Sequence, residues 1–179
     1  MLSNTQIALR EKEMAERPIE QRQAKFHQES IVNSISVGAV FILLGTVFVI
    51  APENLFDRII DFFGSFTTQA FPGTSINLPV PVNPASHFVF YNALFQFCLG
   101  IGLLQSLILV LRLIWRSPTG RIAETTGNLV FWLGTSFIIA TFLNASTNTS
   151  LWFAFWGAFL VVLGFSLLAR AAVILLKRI

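Results

Sequence analysis

Few side chains in this sequence could do chemistry, and their spacing sets most of them apart. Asp57 and Asp61 are four residues apart, so on a helix they stand one turn apart and could hold a cation between them. The plainer reading of the pair is a solvated polar face. His27 and His87 are sixty positions apart and fall on opposite sides of a membrane in the topology below, so neither can be half of a bis-histidine haem site within the bilayer. The lone cysteine, Cys98, excludes an internal disulfide and a thiolate metal site, and reads as a small buried hydrophobe. Asn92, Gln96 and Ser106 recur near one face at helical spacing, while Gln105 points elsewhere. Such residues either hydrogen-bond between membrane helices or line a pore. No catalytic, cofactor-binding or metal-binding set follows from these residues.

The elements that carry them follow from composition. Of 179 residues, 54% are hydrophobic and 12% charged, about half the charge of a soluble domain. Nine of the twenty-one charged residues lie between Arg10 and Lys25. The pattern predicts a charged arm over 1–30 followed by a membrane domain over 31–179. Crossing a bilayer takes about 20 mainly apolar residues, and the spanning backbone must be helical so that its polar groups pair internally. Four stretches qualify, 31–51, 88–111, 125–145 and 151–176, bounded by Pro52, by Arg112, and at the end by Lys177 and Arg178. The expected fold is therefore all-α, a four-helix transmembrane bundle. A cleaved signal peptide is rejected for the first stretch, because its apolar run is too long and the charged region before it too extended.

Orientation follows from Lys and Arg. Eleven of the twelve fall on one side and only Arg58 on the other, which places both termini in the cytoplasm and the protein in the plasma membrane. The arm reads as helix, with Pro18 opening a second segment and Glu13 pairing with Arg17. Its five basic residues are balanced by five glutamates, which argues against a polybasic lipid anchor. It is either a solvated extension or a contact surface, through Ile19 and Phe26.

The loop over 52–87 divides in two. Asn54 can cap a short interfacial helix whose apolar face is Leu55, Phe56, Ile59, Ile60, Phe63 and Phe66. Phe71 to Pro84 is proline-rich and apolar, so extended or polyproline backbone is expected, folded over the external face of the bundle or meeting a partner there. Glycosylation-type triplets begin at Asn144 and Asn148. Trp115 and Trp152 are expected at opposite interfaces as aromatic belts.

All nine carboxylates fall outside the expected hydrocarbon core, and Arg170 is the one charge expected inside a span, within reach of the interface. Without a carboxylate relay or a nucleophile–base pair, proton pumping, haem electron transfer and intramembrane proteolysis are not expected. Glycines seven apart suggest close helix packing: Gly38 with Gly45, Gly127 with Gly134, Gly157 with Gly164. The first and last spans share a short Gly-Ala and Leu-Gly string, the kind of match an inverted repeat leaves, although chance matches of this length are common in such sequence.

The leading expectation is a non-enzymatic structural or accessory subunit of an oligomeric membrane assembly, with the bilayer and copies of itself or other membrane subunits as partners, and no nucleic acid. An oligomeric channel or passive carrier for small neutral solutes is the alternative. An interfacial lipid enzyme is a third reading, with no catalytic constellation behind it.

Overall fold

The computed structural model describes residues 30–50 and 54–176. The expectations for the charged arm, for Pro52 and for Lys177 and Arg178 lie outside the described residues. The chain forms two compact units, Met1–Gly38 and Ala39–Ile179. In the first, residues 30–38 are the opening turns of helix α1 (Ser30–Ile50), where the Ser36 hydroxyl donates to the Val32 carbonyl at 2.6 Å.

The second unit holds the rest of α1, then α2 (Leu55–Gly64), strands β1 (Phe66–Ala70) and β2 (Asn77–Pro81), a 3-10 turn (Pro84–His87), and helices α3 (Phe88–Ile114), α4 (Thr119–Phe142) and α5 (Thr149–Leu176). Among the described residues, four helices are long and apolar enough to cross a membrane: α1, α3 with the turn before it, α4 and α5. The chain is mostly helical and membrane-embedded. The two-stranded sheet is an addition to the all-α expectation.

Several span ends differ from the hydropathy reading, most of all at the α3–α4 connection. Helix α3 continues through Arg112 to Ile114, and α4 starts at Thr119, six residues before the expected Thr125. The cause is local. Pro118 precedes the first turn of α4, where a missing N–H costs nothing, and the chain between the helices turns tightly at Arg116 (φ 51°). Arg112 is not a solvated boundary residue but is buried between α3 and α4. Its Nη1 donates to the Arg121 carbonyl at 2.7 Å and to Thr125 Oγ1 at 2.6 Å.

Helix α4 packs along both α3 and α5. Small residues let the backbones approach. Gly102 of α3 lies against Leu133 of α4. Gly127 and Gly134 of α4 face Ser166 and Val162 of α5. A Cβ on Gly134 would lie 2.7 Å from Val162 Cγ1. At the hairpin end the packing is aromatic instead. Phe62, Val80, Tyr91, Ile139, Trp152 and Phe155 are buried together, drawing α2, β2, α3, α4 and α5 onto one cluster.

The hairpin explains how a proline-rich loop becomes a strand. Phe66 pairs with Pro81 and Thr68 with Pro79, antiparallel. The Val82 N–H donates to the Ser65 carbonyl at 2.9 Å and the Phe71 N–H to the Ile76 carbonyl at 2.8 Å. Antiparallel pairs alternate between bonded and non-bonded. In this register Pro79 and Pro81 therefore take non-bonded positions, where no N–H is needed. The outward-facing Pro79 carbonyl accepts the Trp152 indole N–H at 3.2 Å. At the tip, Phe71-Pro-Gly-Thr74 closes a turn with Gly73 at φ 78° and the Thr74 N–H donating to the Phe71 carbonyl at 3.0 Å, the type II pattern of Pro then Gly. Gln69 and Phe71 reach α5 through Thr149 and Phe153. The proline-rich segment thus folds onto the helices.

Candidate functional site

Two surfaces stand out: a polar cavity beneath α2 and an exposed stripe on α3. The cavity exists because α2 has three faces. Leu55 and Phe62 point inward and are buried, while Phe56, Ile60 and Phe63 are exposed on a second face. Arg58 and Asp61 lie on a third, roughly opposite the exposed apolar one at 100° per residue. Phe62 is the hub, with ring contacts to Phe66, His87, Phe90, Tyr91 and Trp152 at 4.7–6.1 Å. Asn54 does not cap α2 with its side chain as expected. It sits in the left-handed region (φ 77°), and its carbonyl accepts the Arg58 N–H at 3.0 Å. Phe66 is likewise not part of the helical face but begins β1.

Arg58, Asp61, Ser65, Asn83, Ser86 and His87 line a cavity of about 240 Å³ between α2 and the 3-10 turn. Ser65 and His87, twenty-two residues apart, meet here, with Oγ and Nε2 2.9 Å apart. Their approach makes a Ser–His contact that their spacing did not suggest. The Ser65 hydroxyl also has the Phe62 carbonyl 2.9 Å away. When its one hydrogen goes to that carbonyl, the oxygen accepts from Nε2–H. In that tautomer the contact ties the end of α2 to the 3-10 turn and does not activate a nucleophile. Of the suggested cation pair, Asp61 borders the cavity and Asp57 does not. Among the described residues no three His, Cys, Asp or Glu side chains are grouped to hold a metal.

On α3, Asn92, Gln96, Leu103, Leu107, Val110 and Ile114 form one exposed stripe. Their spacings of 4, 7, 4, 3 and 4 keep them within about 60° of one another around the helix. Neither the Asn92 nor the Gln96 side chain hydrogen-bonds to a described residue. Ser106 differs, because its hydroxyl donates to the Gly102 carbonyl at 3.1 Å within the helix. Beside Asn92, α3 and α4 leave a groove of about 270 Å³ lined by Phe88, Tyr91, Phe95, Ile139 and Leu143, among others. The Tyr91 hydroxyl is buried there without a hydrogen-bond partner among the described residues.

No family model, no curated protein and no solved structure matches this chain.

The glycines divide. Gly127 and Gly134 lie in the α4–α5 contact, while no described atom lies within 4 Å of a Cβ placed at Gly38, Gly45, Gly157 or Gly164. Gly100 and Gly102, which sequence spacing did not single out, are close-packed under Leu43 and Leu133. Their two-residue spacing puts them on different faces, so no seven-residue repeat marks them. Trp152, expected in an aromatic belt, is packed inside the protein. It is 3% exposed and lies under the hairpin, whereas Trp115 is 38% exposed at the far end of α3. Asn144 and Asn148 both serve the α4–α5 turn. The Asn144 side chain bonds Thr141 and Ser146, and Asn148 Oδ1 caps α5 by accepting the Leu151 N–H at 3.0 Å.

Proposed function

We propose that this chain is a non-enzymatic structural or accessory subunit of an oligomeric membrane assembly, and that the exposed stripe of α3 is where copies of it meet. The stripe carries the reading. Gln96 lies eight residues into α3, about 12 Å from its start at 1.5 Å per residue. An amide side chain in hydrocarbon with no partner costs on the order of several kcal/mol. An opposing helix bearing the same Asn92 and Gln96 answers both amides at once, because each amide donates and accepts. Below them, Leu103, Leu107, Val110 and Ile114 keep the 3–4 spacing of a helix-pairing seam, in which a polar position fixes register. The bare glycines Gly157 and Gly164 on α5 leave a second surface for neighbours. The bias of Lys and Arg supports cytoplasmic termini and a plasma-membrane location.

The test replaces both amides, Asn92→Leu with Gln96→Leu, and reads mass by native mass spectrometry in mild detergent. Interhelical hydrogen bonds in membranes contribute about 0.6–1.7 kcal/mol each. Losing two should weaken association roughly 10- to 300-fold at 1.4 kcal/mol per decade. Wild-type protein that is monomeric at every concentration would sink the proposal.

The same two amides favour a second reading, an oligomeric channel or passive carrier, if they face a central axis and not a paired helix. Solute flux in proteoliposomes that Gln96→Leu abolishes without changing the oligomer's mass would select it.

A further inference from the structure

The α2 cavity presents one positive and one negative side chain that leave each other alone. Arg58 and Asp61 are three residues apart on neighbouring positions of α2, a spacing that permits an ion pair. No salt bridge or hydrogen bond joins the two side chains to each other or to any other described residue. Both are exposed and border an open surface cavity of about 240 Å³, room for a small solute.

Charge decides what such a cavity accepts. A simple anion drawn to Arg58 meets Asp61, and a simple cation drawn to Asp61 meets Arg58. A molecule carrying both signs satisfies both. The remaining walls are neutral: the Ser86 hydroxyl donates to the Asn83 carbonyl at 2.7 Å, the Asn83 amide is exposed, and His87 is tied to Ser65. They add hydrogen-bonding capacity without tipping the charge balance.

We propose that this cavity binds a small zwitterion, with its phosphate or carboxylate on the Arg58 guanidinium and its ammonium on the Asp61 carboxylate. The guanidinium fork suits a bidentate oxyanion, and the carboxylate accepts from an ammonium. Phosphoethanolamine has this chemistry both as a free solute and as the headgroup of phosphatidylethanolamine. The exposed apolar face of α2, Phe56, Ile60 and Phe63, is one that settles at a membrane interface, with Arg58 and Asp61 turned to the polar side of that interface.

The experiment uses the full chain in nanodiscs of phosphatidylglycerol, whose headgroup lacks an ammonium. One arm titrates free O-phosphoethanolamine by calorimetry. The other replaces part of the lipid with phosphatidylethanolamine and reads the thermal midpoint. Saturable binding of the free solute, or stabilisation by the lipid, is expected in at least one arm, and which arm responds identifies the source. Ethanolamine alone and inorganic phosphate alone should bind at least tenfold more weakly. Arg58→Gln and Asp61→Asn should each abolish the response while leaving the far-ultraviolet spectrum unchanged, and Arg58→Lys should restore part of it. No response in either arm overturns the proposal, and so does phosphate binding as tightly as the zwitterion.

Discussion

Replacing Phe62 with alanine should loosen the α2–hairpin cap while leaving the spans folded. Phe62 is 7% exposed, and its neighbour Phe63 is 68% exposed. The Phe62 ring centre lies 4.7 Å from that of Phe90, 5.1 Å from Phe66 and 6.1 Å from Trp152, so one side chain ties α2 and β1 to α3 and α5. Core Phe→Ala changes cost about 3–5 kcal/mol, and this site has little slack for collapse because its neighbours are rigid rings. Exposed positions usually change stability by less than about 0.5 kcal/mol. At 1.4 kcal/mol per decade, a loss of about 3 kcal/mol raises the population of the opened cap roughly 100-fold. Hydrogen exchange at the Phe71 and Val82 amides, which close the two ends of the hairpin ladder, reads this directly. Phe62→Ala should speed exchange at both by about two orders of magnitude, and Phe63→Ala by less than about threefold. Equal exchange in the two variants would refute the assignment of Phe62 as the tie between cap and spans.

Gly134→Ala should destabilise the α4–α5 contact by about 1–3 kcal/mol, because the new methyl would lie 2.7 Å from Val162 Cγ1 on a stiff β-branched side chain. Gly164→Ala, with open space around it, should be neutral or stabilising by up to about 1 kcal/mol in the same denaturation series, with the sign reversed. Arg112→Met removes the two bonds from Nη1 to the Arg121 carbonyl and Thr125 Oγ1, and should lower stability by about 2 kcal/mol in detergent unfolding.

The spans were legible because a bilayer needs long apolar helices, and hydropathy reports that requirement directly. What lay between them was not. The prolines over 79–84 predicted extended or polyproline backbone but not that it would pair, since a proline inside a sheet removes a donor. Pairing is possible where alternate residues need no donor, and that depends on register, which only β1 decides. Arg112 read as a boundary because a charge at a span end ordinarily faces water. Its burial depends on the Arg121 carbonyl and Thr125, nine and thirteen residues away, which the α3–α4 turn brings back to it. The Ser65–His87 contact depends in the same way on the hairpin closing between them. Gln96 and Asn92 were legible as a pair on one face, but their exposure was not. A helical pattern places residues together without saying whether the next helix covers them.

The two prolines of β2 also govern how the small sheet ends. An open strand edge ordinarily invites another strand, because its outward N–H and C=O groups are unmet. Along β2 the residues that turn outward at 79 and 81 have no hydrogen to offer, and the indole of Trp152 already occupies the Pro79 carbonyl. A foreign strand approaching from that side finds no donors at these positions. The hairpin is thereby protected on one flank against domain swapping and fibril-like stacking.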